Sequence, residues 1–290
     1  MADSEFPQPI SFTKTWHSEP YPFISLNRSE LSASSKNIVV TGGATGIGNA
    51  IAIAFAKAGA KSVSILGRQP EKLHLGAASI LNAISSGTST QVLHETADIL
   101  DPVQLTTALK SIVSKVGKID VFVANAGTVA KPGPLVDQNI DQFVLDIGEA
   151  IRGTFNSFQC FLSEAGPSPV FLNTSSCLAN VAPTPRLGGY AVGKAASLKM
   201  MNYLSAENPH VHVVNVQPGW VATSLNGYQK EAPDSADLPG QFYVWLASPE
   251  AQFLKGKFVW ANWDAQELLQ RAEEIQNSKL LNWIVDGVPM

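Results

Sequence analysis

Ile38-Val39-Val40-Thr41-Gly42-Gly43-Ala44-Thr45-Gly46-Ile47-Gly48-Asn49 is a β-branched run that breaks into glycines and then enters an alanine-rich stretch reaching Ala60. Strand, glycine turn and helix in that order form the context in which a backbone can approach a pyrophosphate, with the helix N-terminus aiming free N–H groups and a positive dipole end at it. The spacing is G-x-x-x-G-x-G rather than the commoner dinucleotide spacing G-x-G-x-x-G. Glycines of this kind also serve plain tight turns, but their place between a first strand and a first helix favours phosphate binding.

Outward from this turn the texture repeats. Short apolar runs at Val63-Ser64-Ile65-Leu66, Gln91-Val92-Leu93, Val121-Phe122-Val123, Val170-Phe171-Leu172 and 211–216 read as strands. Helical stretches begin near Gly46, Glu71, Pro102, Ile140, Gly188 and Asp237. Strands alternating with helices at this spacing predict βαβ units, a parallel sheet and right-handed crossovers, hence a doubly wound three-layer α/β/α sandwich. No compositional break, repeat or low-complexity segment divides residues 36–260, so one domain is expected there, with an arm over 1–35 and a tail over 261–290.

Composition narrows the function classes. The chain has 290 residues, 45 % of them apolar and 15 % charged, and a net charge of −4, which excludes a nucleic-acid binder driven by bulk positive charge and suits a large globular core. Two cysteines, Cys160 and Cys177, and five histidines with one close pair, His210 and His212, offer no disulfide framework and no metal site. The N-terminal residues have no basic-then-apolar leader, and no apolar run approaches the roughly 18 residues of a membrane span, so a soluble cytoplasmic protein without a membrane partner is expected. The arm carries Pro7, Pro9, Pro20 and Pro22 among Phe6, Phe12, Trp16, Tyr21 and Phe23. It reads as an extended segment packed on a surface or, equally, as a partly disordered leader.

About 20 residues past the glycine turn stands Leu66-Gly67-Arg68, where dinucleotide folds test the adenosine ribose. Gly67 leaves room and Arg68 offers a fork of donors to a 2′-phosphate, which favours NADP(H) over NAD; a solvated surface arginine is the plain alternative. Asp98 reads equally as an acceptor for an adenine amino group and as a turn carboxylate. Further on, Ser175 and Ser176 follow the fifth strand, and Tyr190 and Lys194 share a helix face at i and i+4. A nearby ammonium would lower the phenol pKa from about 10 toward working pH, giving general acid chemistry without histidine. Ser176 would hold a reacting carbonyl oxygen. A surface tyrosine beside a solvated lysine is the alternative to weigh.

Taken together, these marks resemble the short-chain dehydrogenase/reductase family over residues 36–260, including a branch common in filamentous fungi. Thr41 to Gly48 is similar to its T-G-x-x-x-G-x-G turn, and Ala124-Asn125-Ala126-Gly127 to its N-N-A-G. Ser176, Tyr190 and Lys194 fall on its catalytic positions. Asn215 and Pro218-Gly219-Trp220-Val221-Ala222-Thr223 resemble its nicotinamide segment. The resemblance implies a Rossmann-type fold, a nicotinamide cofactor and a small-molecule carbonyl or alcohol substrate. Tyr190 would be the proton donor, Lys194 would hold the nicotinamide ribose, and Ser176 would polarise the carbonyl. Gly42, Thr45, Gly46, Ile47, Gly48, Arg68 and Asp98 would line the cofactor, with Asn125, Ala126 and Gly127 beside the ribose and Pro218, Gly219, Val221 and Thr223 beside the carboxamide.

Two departures stand out. Ala150 occupies the place of an asparagine in the family pattern N-x-x-G-x-F, here Ala150-Ile151-Arg152-Gly153-Thr154-Phe155, and its methyl cannot hold the water that would link the lysine to solvent. A reductase-like scaffold with a non-redox role is therefore the competing expectation. Ser176 and Tyr190 are 14 residues apart where many members of the family have about 13, and Cys177 occupies the closer spacing; it reads as a small buried side chain rather than a nucleophile. Substrate contacts are expected from the loop 219–240, through Trp220, Leu225, Tyr228 and Leu238, amid Lys230, Glu231, Asp234 and Asp237. The apolar residues Phe155, Phe158, Phe161 and Leu162, with Leu198, Met200, Met201 and Leu204, serve either core packing or, by the resemblance, a homodimer or homotetramer contact. The segment Lys279-Leu280-Leu281-Asn282-Trp283-Ile284-Val285 would cover this chain's pocket or a neighbour's.

Overall fold

The computed structural model describes residues 11–84, 89–181, 183–230 and 232–285. Phe6, Pro7, Pro9 and Glu231, named above, lie outside the described residues. In chain order the elements are β1 (Asn37–Thr41), α1 (Gly46–Lys57), β2 (Ser62–Gly67), α2 (Pro70–Ala83), β3 (Gln91–Thr96), α3 (Pro102–Val116), β4 (Ile119–Ala124), α4 (Ile140–Glu164), β5 (Ala165–Thr174), α5 (Gly188–Glu207), β6 (His212–Gln217), α6 (Asp237–Leu246), β7 (Phe258–Trp260), α7 (Ala265–Gln270) and α8 (Ala272–Gln276).

All neighbouring strand pairs are parallel, in the order β3-β2-β1-β4-β5-β6-β7. Helices cover both faces, so β1 and β6 are buried throughout, and the inner strands carry the apolar runs Ile38-Val39-Val40, Val121-Phe122-Val123 and Val170-Phe171-Leu172. One core lies on each side of the sheet: Ile38, Val40, Ile51, Phe55 and Trp245 belong to one, and Val39, Phe122, Phe158, Phe161 and Phe171 to the other. The alternation of Ile38, Val39 and Val40 between the two follows the two-residue period of a strand. The expected doubly wound fold is present, and each of the six anticipated helices begins within a residue of its expected start. Because the order reverses between β1 and β4, a crevice opens at the C-terminal ends of those strands.

The three-residue strand β7 is not anticipated in sequence, since its apolar run is too short to distinguish from packing. It forms an edge, and the Leu281 carbonyl accepts from the Phe258 N–H at 2.9 Å, covering a ladder donor that would otherwise face an added strand. The described part of the arm, from Ser11, runs over the same end of the molecule. Trp16 bridges Trp263, His17 stacks on Tyr21 at 3.6 Å and pairs with Asp264 at 2.8 Å, and Arg271 lies 3.9 Å over the Phe12 ring. The Tyr21 hydroxyl accepts from the Ala265 N–H at 2.7 Å and donates to the Trp263 carbonyl at 3.1 Å, meeting a backbone donor at the start of α7.

Of the residues named for a subunit contact, Phe158, Phe161, Leu198 and Met201 are buried in the chain's own core, which accounts for them without a partner. Phe155 is exposed, on the same helix as exposed Ile140, Val144 and Leu145.

Candidate active site

The end of β1 and the end of β4 are stitched together by one side chain. Thr41 Oγ1 accepts from the N–H groups of Asn125 and Ala126, both at 3.0 Å, while Asn125 Nδ2 donates to the Thr41 carbonyl at 3.1 Å. This fixes Asn125, Ala126 and Gly127 against the glycine turn. Gly42 and Gly46 hold φ of +66° and +55°, which a side chain would strain. Thr45 precedes α1 without a side-chain cap, so the first N–H groups of that helix remain for an anion. Gly48 does not line the crevice; a Cβ there would run into the Gly42 carbonyl, so this glycine lets helix and turn close on each other.

The crevice is one cleft of about 1620 Å³. Gly42, Thr45, Gly46, Ile47, Arg68, Asp98, Asn125, Ala126, Gly127, Ser176, Tyr190, Lys194, Pro218, Gly219, Val221 and Thr223 all line it. Sequence reading missed Lys72, which lines the cleft with Arg68 beyond Gly67; its place in the first turn after Arg68 was the available signal. A Cβ at Gly67 would meet nothing nearer than Leu73 at 3.5 Å, so the space expected there exists. Asp98 combines its two readings: it lines the cleft, and Oδ1 accepts from the Leu100 N–H at 3.0 Å as an Asx turn. Asn215 lies inside the sheet instead, its Oδ1 accepting from Asn173 Nδ2 at 2.9 Å, which removes it from the nicotinamide segment.

Ser176 stands at the N-cap of a short 3₁₀ turn after β5, and Gln217 Oε1 on β6 accepts from the Cys177 N–H at 3.0 Å, holding that turn against the next strand. Tyr190 and Lys194 project from α5. Lys194 Nζ donates to the Thr174 carbonyl at 2.9 Å and lies 5.7 Å from the centre of the Tyr190 ring. The expected lowering of the tyrosine pKa is not found in the protein alone. Burial pushes the Tyr190 phenol up to about 12, outweighing the hydrogen bond with Ser176 that favours ionisation, and the Cys177 thiol adds in the same direction as burial. Burial also pushes Lys194 down to about 8, so its charge, the intended perturber, is itself partly withheld. Cys177 lines the cleft as a free thiol whose pKa burial raises, which agrees with an unreactive side chain.

Ala150 has a packing explanation. A Cβ added at Gly193 would stand 3.2 Å from the Ala150 Cβ, so α4 and α5 cross closely on small residues. The Ala150 carbonyl accepts from Ser197 Oγ and Thr154 Oγ1, each at 3.2 Å. Beside it Thr128, Asp146, Tyr190 and Lys194 border a recess of about 10 Å³, close to the minimum for one water molecule.

The loop 219–240 turns on Gly219, with φ of +99°, and is pinned where Asp234 Oδ2 accepts from the Trp220 N–H at 2.6 Å. Trp220, Leu225, Asn226 and Gln229 line the cleft; Tyr228 is exposed and Leu238 is packed in the core, so those two do not. The tail segment returns to the same chain, where Leu281, Asn282 and Trp283 line the cleft. No group of three or more His, Cys, Asp or Glu among the described residues is arranged for a metal, and no helix among them is long and apolar enough to cross a membrane.

A glycine-turn crevice at the switch point of a doubly wound sheet, rimmed by serine, tyrosine and lysine, is the arrangement of a nicotinamide-dependent dehydrogenase or reductase. Comparison with known proteins narrows that class: residues 36–234 match the short chain dehydrogenase family model. A short chain dehydrogenase/reductase of Claviceps purpurea is 33 % identical over 273 residues, covering 91 % of this chain and 90 % of the relative. The Aspergillus aculeatus protein AacuD is 29 % identical, covering 94 % and 95 %. Among solved structures, a short chain dehydrogenase of Burkholderia cenocepacia in complex with NADP superposes with a TM-score of 0.70 at 25 % identity, covering 82 % of this chain and 99 % of that one. The alcohol dehydrogenase of Thermococcus sibiricus complexed with 5-hydroxy-NADP gives 0.65 at 25 %, covering 73 % and 90 %. The chain belongs to the short-chain dehydrogenase/reductase family.

Proposed function

We propose that this protein is an NADP(H)-dependent oxidoreductase that interconverts a carbonyl and an alcohol on a small organic molecule, with Tyr190 as the proton donor. The observation that carries the reading is the single cleft shared by the uncapped N-terminus of α1, the Arg68–Lys72 pair, and Ser176 with Tyr190 and Lys194. The turn backbone and the helix end would hold the pyrophosphate; Arg68 and Lys72 would take the 2′-phosphate, which supports NADP over NAD. Asp98 and Asn125 through Gly127 would border the adenosine, and Pro218, Gly219, Val221 and Thr223 the carboxamide. When bound, the nicotinamide supplies or accepts the hydride.

The protein's own part is positioning and proton transfer. Ser176 holds the carbonyl oxygen, and the Tyr190 hydroxyl delivers a proton to it as negative charge develops. A buried phenol near 12 stays protonated at neutral pH, ready to donate, and an ammonium at Lys194 favours the tyrosinate that remains. A water in the recess beside Ala150 would return a proton toward Lys194 and Tyr190, taking the role of the missing asparagine side chain. Residues 36–260 act as the catalytic unit in this reading, in a cytoplasmic enzyme, with a homodimer or homotetramer formed through the exposed face of α4.

The test is NADPH oxidation, followed by absorbance with a panel of ketones, in the wild type and Tyr190→Phe. Turnover that falls by about 10²–10⁴-fold in the variant supports the reading. NADPH binding without turnover of any ketone would instead favour a non-redox scaffold, the role that Ala150 motivates.

A further inference from the structure

Five of the chain's six tryptophans, Trp16, Trp220, Trp260, Trp263 and Trp283, line the same cleft. They come from four places far apart in sequence: the arm, the substrate loop, the end of β7 with the turn after it, and the tail. Trp16 meets Trp260 edge-on at 5.8 Å, and Trp260 stacks on Trp263 at 6.0 Å with 14° between planes. These are favourable aromatic separations, so Trp16, Trp260 and Trp263 form one continuous wall, and Trp220 and Trp283 add to the lining of the same cleft from the loop and the tail. Trp260 and Trp263 are also buried in the core that holds Trp245, so one side of the wall is anchored by packing, while Trp16, Trp220 and Trp283 bring indoles to the same cleft from the arm, the loop and the tail.

The strand register brings the backbone that carries the wall close to the backbone that carries the reacting serine. Thr174 of β5 pairs with Val216 of β6, and Gln217 of β6 pairs with Trp260 of β7. Ser176 therefore lies near the end of β5, and Trp260 two strand spacings away, about 10 Å. Among the described residues, the charged ones lining the cleft are Arg68, Lys72, Asp98, Glu149, Lys194 and Asp234, none of them on the arm, β7 or the tail. Asp234, on the substrate loop, is turned to its own backbone at Trp220. An anionic group, such as a carboxylate or a thioester-linked nucleotide carrier, would find no cation at that end.

We infer that the substrate is an uncharged, planar polycyclic aromatic ketone, lodged with its rings against the tryptophan wall and its carbonyl at Ser176 and Tyr190. This rests on the proposed function for the position of the carbonyl, while the recognition of flat rings stands on the wall itself. Trp16 makes the arm a part of the binding site, which no reading of residues 36–260 alone provides.

The experiment measures binding rather than turnover. Full-length protein loaded with NADP⁺ is titrated with 9-fluorenone, a flat ketone, and with dicyclohexyl ketone, which has as many carbons and no flat ring; tryptophan quenching and calorimetry give the dissociation constants. The expected result is fluorenone binding at least about tenfold tighter, with Trp16→Leu and Trp220→Leu each weakening it about threefold to tenfold and Trp16→Phe restoring most of the loss. Equal affinity for the two ketones, or a folded Trp16→Leu and Trp220→Leu that both bind fluorenone as the wild type does, overturns the inference. Trp220→Leu lies on the loop and keeps the test informative if the arm variant fails to fold. A melting shift with NADP⁺, measured separately, tells failure of the cofactor reading from failure of the aromatic one.

Discussion

Lys194 Nζ donates to the Thr174 carbonyl at 2.9 Å, tying the middle of the cleft wall to the last residue of β5. The bond holds the lysine extended beneath the tyrosine, in a position where burial lowers its pKa to about 8. Ribose hydroxyls are better held by the ammonium than by the amine. NADPH affinity should therefore weaken as pH rises through 8, because the ammonium fraction falls. Dissociation constants measured from pH 7 to 9 should increase for the wild type and stay level for Lys194→Met, which should bind more weakly at pH 7.

Arg68 and Lys72 set cofactor choice in the proposed reading. Charge-assisted hydrogen bonds are worth about 1.5–3 kcal/mol each, so Arg68→Ala should weaken NADPH binding by about 10- to 100-fold and leave NADH binding nearly unchanged. Calorimetric titration with both cofactors checks this; a variant that loses NADH equally would remove Arg68 from the 2′-phosphate.

Ala150 faces Gly193 across the closest approach of α4 and α5. The neighbouring recess of about 10 Å³ has room for about one water and is too small for the larger side chain that the resemblance places there. Ala150→Asn should cost about 1–3 kcal/mol through overpacking, visible as a lowered Tm, and should not accelerate turnover. A more stable or faster variant would mean that the alanine is a loss rather than a fit.

His212 is buried in β6, where desolvation pushes its pKa down to about 4, the Leu246 backbone pulls it back, and Lys255 adds to the lowering. Its value in the unfolded chain is near 6.5, so between pH 6.5 and 4 the unfolded chain binds a proton that the folded one refuses. Stability is present above that window and is lost as pH falls through it, by about 3 kcal/mol at most. Denaturation midpoints from pH 7 to 4.5 should fall steeply for the wild type and less steeply for His212→Val.

The sheet and its crevice were legible because their causes are local. A glycine turn between a strand and a helix is contiguous, and so is the i, i+4 spacing of Tyr190 and Lys194. What sequence could not yield was the outcome of competing forces at one place. Tyr190 and Lys194 were expected to perturb each other, and burial dominates both instead. Asn215 was placed by its neighbours in sequence, yet it turns to Asn173 within the sheet. The aromatic wall had no sequence signature at all, since Trp16 and Trp263 meet only through the completed fold.

That last meeting constrains how the chain can be finished. The bridge from Trp16 to Trp263 and the Tyr21 bond to Ala265 join segments more than 240 residues apart, so during synthesis the arm emerges well before its site, which exists only once residues 263–265 have left the ribosome. Its apolar rings must wait in the open through all of β1 to β7. An arm that can close only after β7 is made leaves its end of the cleft to form later than the glycine turn, which is complete as soon as β1 and α1 have emerged.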